Sequence, residues 1–169
     1  MKQLLLLVPL LCFAVPSEAD DVPGWRTIEG EWKNDPVCGQ GYLEYQKTIQ
    51  GKMEITGKIQ YDLQTDGVWG FGLYPSDGSF LTVFVEGSSQ MTIRLKPKEG
   101  ATQTLGTTAC PRTAKKPVSF RCALAENQIL FAVGRAQLKT KLPVSLDGAK
   151  VRLCAAGQPA TFEKLFVKE

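Results

Sequence analysis

From Lys52 to Leu63 the chain alternates. Met53, Ile55, Gly57, Ile59, Tyr61 and Leu63 occupy the odd positions, and Lys52, Glu54, Thr56, Lys58, Gln60 and Asp62 the even ones. Successive side chains of an extended backbone point to opposite faces, so this pattern spells a strand with one apolar and one polar face. Such a strand must pair with neighbours and bury its apolar face against a second layer. Further β-rich runs follow at 68–74, 80–86, 90–95, 118–124, 150–155 and 162–167. Between them stand Ser76-Asp77-Gly78-Ser79, Glu86-Gly87-Ser88-Ser89 and Asp147-Gly148, all turn chemistry. Many short strands spaced by such turns predict an all-β antiparallel sandwich or barrel. Residues 125–141 are rich in helix formers, which is the rival pattern there. Gly134 interrupts it and Ile129, Phe131 and Val133 alternate before it, so the segment is predicted to be a hairpin turning at Gly134-Arg135.

The N-terminus reads differently. Met1-Lys2-Gln3 precedes an apolar run from Leu4 to Val15, then Pro16 and the small-x-small sequence Ser17-Glu18-Ala19. These are the parts of a signal peptide over residues 1–19, which predicts a secreted or periplasmic protein with one domain over 20–169. The apolar run is shorter than the roughly 20 residues a membrane helix needs, so no membrane span is expected. Leu10-Leu11 before Cys12 does not make a lipid-attachment box. The net charge is +3 with signs interspersed, and the densest basic run, Lys115-Lys116, stops at Pro117. A nucleic-acid footprint needs a concentrated basic stripe, so no nucleic-acid partner is expected. Cys38, Cys110, Cys122 and Cys154 follow the predicted cleavage site. An even count in an exported chain predicts two disulfides. Three connectivities are open; close spacing favours Cys110 with Cys122, leaving Cys38 with Cys154.

The chain contains no histidine. That removes Ser-His-Asp and Cys-His nucleophiles, histidine-based zinc sites and histidine as a general base. Carboxylate chemistry survives. Glu54 and Asp62 share a strand face, but eight residues at about 3.3 Å each put them roughly 26 Å apart, against about 5 to 9.5 Å in glycosidases. Glu54 and Glu86 remain a pair that would meet only across neighbouring strands. Gly39-Gln40-Gly41 lacks the third glycine of a dinucleotide loop, since Glu44 stands there, and reads as a loop beside Cys38. Asp62, Asp66 and Asp77 lie near strand ends, but no loop is dense enough in acids to indicate calcium, and no cofactor is expected.

In Val68 to Tyr74, Trp69, Phe71 and Leu73 share one face, which suits a core. Gly70 and Gly72 strip the other, leaving backbone approachable beside Tyr74. By the same parity Leu81, Val83, Val85, Met91, Ile93 and Leu95 point inward, and Thr82, Phe84, Glu86, Thr92 and Arg94 outward. If these strands share a sheet with those carrying Glu54, Thr56, Lys58, Gln60, Ser119 and Arg121, the open face mixes aromatic rings with cations and hydroxyls. Lys58, Gln60, Tyr74, Thr82, Phe84, Arg94 and Arg121 are then candidate ligand-binding residues, suited to stacking a sugar ring and bonding its hydroxyls. The other reading of the same residues is an ordinary solvated sheet face.

Gly30-Glu31-Trp32, the hairpins of Gly67 to Leu95, Gln128 to Gly134, and the closing pair Gly148 to Leu153 with Ala160-Thr161-Phe162 and Leu165-Phe166-Val167 resemble the concanavalin A-like lectin/glucanase superfamily. The likeness is to its laminin-G-like and 3-keto-disaccharide hydrolase-like branches. Val133 stands where an Asp often precedes the hairpin glycine, and Arg152 where a glycine is common. The Glu-x-Asp-x-x-Glu cluster of laminarinase-type members is missing. The resemblance implies an antiparallel jelly-roll β-sandwich and a noncatalytic carbohydrate-binding role with a carbohydrate or glycoconjugate partner. It leaves open a 3-keto-disaccharide hydrolase-like enzyme acting on glycosides, or a structural or adhesion module binding an envelope or extracellular protein.

Overall fold

The computed structural model describes residues 22–34 and 36–169, so the segment read as a signal peptide lies outside the described residues. Their regular structure is all strand: β1 (Trp25–Asn34), β2 (Val37–Tyr45), β3 (Lys52–Asp62), β4 (Val68–Tyr74), β5 (Phe80–Glu86), β6 (Gln90–Lys96), β7 (Gln103–Ala109), β8 (Thr113–Ala125), β9 (Gln128–Val133), β10 (Ala136–Lys141) and β11 (Lys150–Lys168). Every pairing is antiparallel. The predicted hairpin is present, with Gly134 at φ 57° between β9 and β10. The helical alternative fails because Ile129, Phe131 and Val133 are all buried, a period-2 face.

Hydrogen bonding runs β10-β9-β8-β3-β11-β4-β5-β6-β7, with β2 also on β11 and β1 on β2. The path folds over at β11. Its first half, from Lys150 to Ala156, pairs with β4, and its second half, from Thr161 to Lys168, pairs with β3. The predicted strands at 150–155 and 162–167 are therefore one bent strand that belongs to two layers. The bend falls where the register slips between Ala155 and Ala160 and Gly157 sits at φ 83°. At the far side Thr140 Oγ1 of β10 donates to the Leu105 carbonyl of β7 at 3.5 Å, drawing the outer strands of the two layers together.

The layers meet through rings. Trp69 of β4 lies 5.6 Å from Phe131, 5.7 Å from Phe120 and 6.0 Å from Phe162, each edge to face, and 5.4 Å from Tyr61 at a tilt. Tyr61, Phe120 and Phe131 are on strands not paired with β4, and Phe162 is in the half of β11 that pairs with β3, so these contacts cross the core. Trp69, Phe71 and Leu73 are fully buried, as are the inward residues of β5 and β6 from Leu81 to Ile93, with Leu95 nearly so.

Two expectations are corrected. Gly39 and Gly41 are in strand β2, opposite Trp32 and Gly30 of β1, and not in a loop. The two backbones approach so closely that a Cβ on Gly39 would stand 2.1 Å from the Glu31 carbonyl oxygen and one on Gly30 2.0 Å from that of Gln40. Glycine here serves close packing and not a turn. The four cysteines are free. Cys122 pairs with Ile55 while Cys110 lies beside Tyr61, six residues further along β3. Cys38 pairs with Thr161 and Cys154 with Tyr42, four residues apart along β2, or roughly 13 Å. A disulfide needs Cα atoms within about 7 Å, so the register separates Cys38 from Cys154. Sequence proximity brings cysteines together only when the intervening chain is a simple hairpin, and here Cys110 lies just past the end of β7 while Cys122 lies deep in β8.

Candidate functional site

The outer face of the layer built from β4, β5, β6 and the first half of β11 carries the aromatic side chains. Register sets Gly72 between Arg152 and Thr82, and Gly70 between Cys154 and Phe84. Both glycines are buried, which corrects the expectation of an open backbone. A Cβ on Gly72 would meet Phe80 Cε2 at 3.2 Å and Tyr74 Cε2 at 3.4 Å, and one on Gly70 would meet Phe84 Cδ1 at 2.9 Å. The missing side chains let the neighbouring rings lie down on the sheet, as aromatic residues do beside strand glycines. Tyr74 and Phe80 stack with centroids 4.7 Å apart and an interplanar angle of 28°. The Arg152 guanidinium lies 4.4 Å over the Tyr74 ring, in cation–π contact. The result is a half-buried aromatic platform of Tyr74, Phe80 and Phe84, gathered over the two glycines.

Two ion-pair networks flank it. Glu44 of β2, only 8% exposed on its side chain, accepts from Arg152 Nε at 2.9 Å and Arg26 Nη2 at 2.8 Å. Burial alone would discourage its ionisation, but the hydrogen bonds from Arg152 and Arg26 outweigh that and hold its carboxyl below the usual range. On the other side Glu86 pairs with Arg94 and accepts from Thr92 Oγ1 at 2.7 Å. The same balance of burial against Arg94 and Thr92 keeps Glu86 ionised. Cys154 sits buried between Tyr42 and Gly70 in the register, and burial pushes its thiol up to about 11, so it is protonated and unreactive at neutral pH.

A carboxylate whose native pKa is depressed adds stability above its unfolded value, about 4.3, and loses it as pH falls through the native value. Glu44→Gln should therefore cost about 2 kcal/mol at neutral pH, the worth of a hydrogen bond to a charged group. Urea unfolding of parent and variant at about pH 7 and about pH 3 checks it: the gap should narrow in acid, and a gap unchanged between the two would exclude the carboxylate as its source.

The predicted site residues divide between two faces. Tyr74, Thr82, Phe84 and Arg94 come together on the platform layer. Lys58, Gln60 and Arg121 lie on β3 and β8, on the outer face of the opposite layer, so the single shared face does not form. There Arg121 Nη2 binds Glu54 Oε2 at 2.6 Å and Gln60 Nε2 donates to the Lys115 carbonyl at 3.0 Å. Glu54 and Glu86 are thereby on opposite sides of the molecule, and the cross-strand pairing considered for them does not occur. Glu44 and Glu86 share a face, but three strand spacings and four residues put them roughly 20 Å apart over the sheet, beyond a glycosidase pair. Asp77 accepts from the Ser79 amide and hydroxyl within its own turn, and among the described residues no three acidic or thiol groups cluster as a metal site. No described helix is long and apolar enough to cross a membrane.

Sequence reasoning missed Phe80, Arg152, Glu44 and Arg26. Phe80 has the parity of Thr82 and Phe84, and that signal alone places it beside them. Arg152 was visible as a departure where a glycine is common. Glu44 and Arg26 carried no signal, because β2 was not recognised as a strand.

No protein-family model matches the chain, and no curated protein matches it in sequence. Solved structures do. The carbohydrate-binding module CBM66 from Bacillus subtilis superposes with a TM-score of 0.62 over 89% of this chain and 98% of its own, at 12% identity. The Caenorhabditis elegans galectin LEC-6 gives 0.59 over 77% of this chain and 91% of its own, at 13% identity. Alginate lyase A1-II', a member of polysaccharide lyase family 7, gives 0.61 over 86% and 85%, at 7% identity. The fold shared with these structures, together with the bent strand β11 and the ring-packed core, makes the chain an antiparallel jelly-roll β-sandwich with a concanavalin A-like fold.

Proposed function

We propose that this is an exported, noncatalytic carbohydrate-binding domain whose site is the Tyr74–Phe80–Phe84 platform. The observation that carries the reading is the aromatic group itself: three rings gathered over two buried glycines, with ion-paired Arg and Glu side chains at both margins. Pyranose rings present apolar C–H faces and a rim of hydroxyls, so aromatic planes take the face and ion-paired polar groups take the rim. Structural neighbours named as a carbohydrate-binding module, a galectin and alginate lyases support the class of ligand. The N-terminal sequence up to Ala19 supports export.

Thermal unfolding against an oligosaccharide panel tests this. A ligand at 100 times its dissociation constant adds about 2.7 kcal/mol and raises Tm by several degrees. Phe84→Ala, at a half-buried surface position, should fold and bind about tenfold more weakly, because a stacking contact is worth about 1 kcal/mol or more. A ligand-induced shift that survives Phe84→Ala undiminished would move the site off the platform. No shift with any sugar would turn the search to a protein partner.

A further inference from the structure

We infer that the ligand of this face is an anionic glycan, whose carboxylate or sulfate ester enters the recess beside Tyr74 and Arg152. The inference rests on the carbohydrate reading and adds the charge of the sugar. A recess of about 430 Å³ opens at the β2 side of the platform, walled by Arg26, Glu44, Gln46, Lys47, Thr48 and Lys150. Three of these are cations and one is a carboxylate. The carboxylate is already matched in charge: Arg26 binds one of its oxygens and Arg152 the other. Lys47 is matched at the rim by Glu169 at 2.7 Å. Lys150 is exposed and forms no salt bridge among the described residues. Arg26 gives one nitrogen to Glu44 and is otherwise 64% exposed on its side chain. Arg152 uses Nε on Glu44 and lies over Tyr74, so its guanidinium is already oriented.

The surplus in this corner is of donors. Lysine and arginine only donate, and the one carboxylate in the lining is already matched by two arginines, so the group that best completes the corner accepts and carries negative charge. Lys150 stands opposite Tyr74 in the β11–β4 register, one strand spacing of about 4.8 Å away. A sugar ring seated on the Tyr74–Phe80 stack therefore has this corner within reach of a ring substituent. The opposite margin carries a smaller surplus: Arg94 is matched by Glu86, and Lys96, opposite Phe80, is a cation without a carboxylate among the described residues, its Nζ donating to the Gly100 carbonyl at 2.8 Å.

The test is calorimetric titration with three probes at about 50 and about 500 mM NaCl: an oligogalacturonate, the same oligosaccharide with its carboxyls reduced to alcohols, and a sulfated oligosaccharide of similar length. At low salt at least one anionic probe should bind tenfold or more tightly than the reduced one, and the margin should shrink at high salt. The carboxylate and sulfate arms tell the two sources of charge apart. Lys150→Gln, at an exposed position, should lose severalfold of the preference with affinity for the reduced probe kept, and Lys150→Gln with Arg26→Gln should lose most of the preference, weakening the anionic probes far more than the reduced one. Lys58→Gln with Arg121→Gln, on the opposite layer, removes the same charge elsewhere and should leave the preference intact. Equal affinity for charged and reduced probes overturns the inference while the carbohydrate reading stands. So does an equal loss from the two double variants, which would make the effect one of net charge. Absence of binding by all three probes and by neutral sugars overturns the inference together with the carbohydrate reading.

Discussion

Trp69→Ala should lower the unfolding free energy by about 5 kcal/mol, the upper end for a large aromatic core truncation, and Tm by roughly 10 °C or more. The size follows from position. Trp69 is fully buried and touches rings from β3, β8, β9 and the second half of β11, so its removal opens a void between the layers and breaks four aromatic contacts at once. Edge-to-face pairs add about 0.5 to 1.5 kcal/mol each beyond the area they bury. Phe71, whose contacts are with Phe120 and Phe131, should tolerate truncation better, at about 3 to 4 kcal/mol. Chemical denaturation of both variants decides the point. A Trp69→Ala cost below that of Phe71→Ala would mean that the layers are not joined chiefly through the indole.

Gly70→Ala should cost about 4 kcal/mol and abolish binding on the platform. A Cβ there would stand 2.0 Å from the Val83 carbonyl oxygen and 2.9 Å from Phe84 Cα, and both obstacles are backbone. Gly70 also holds φ 150°, at the margin of what other residues adopt. Overpacking and backbone strain each run to about 1 to 3 kcal/mol, and relief requires β4 to part from β5 where Phe84 is mounted. Gly72→Ala makes the informative comparison. Its Cβ would press only on the Phe80 and Tyr74 rings, which can tilt, so stability should change by less than about 1 kcal/mol while sugar affinity falls. Urea unfolding and titration of the two variants separate fold from platform. Equal stability losses would show that the rings are as unyielding as the backbone.

Alternation made the inward and outward faces legible, and from Leu81 to Leu95 every inward assignment matches a buried residue. Parity tells a side chain which way to point, but not which layer its strand joins. That is why Lys58, Gln60 and Arg121 were grouped with Thr82, Phe84 and Arg94 and are found across the molecule from them. Layer membership depends on strand order, which is fixed by long-range pairing and by the bend in β11, and no local run of residues encodes it. The glycines misled for a related reason. Those at 39 and 41 suggested a loop and those at 70 and 72 an exposed backbone, whereas all four mark close approach, by a neighbouring strand or by rings. What a missing side chain makes room for is visible only once its neighbours are known. β7 escaped notice because Gln103 to Ala109 holds one large apolar residue, Leu105, and so lacks an inward stripe.

Strand β11 follows ten others along the chain yet occupies the middle of the hydrogen-bonded path, between β3 and β4. Neither layer is continuous before it arrives, and β3 and β4, neighbours in sequence, are not paired directly with each other. A ribosome delivering this chain from its N-terminus therefore releases two half-sheets with unfilled centres, and cooperative closure waits for residues beyond Lys150. Under the export proposed for this chain, that delay would be an asset: the order in which the strands are made would keep the polypeptide threadable for most of its synthesis.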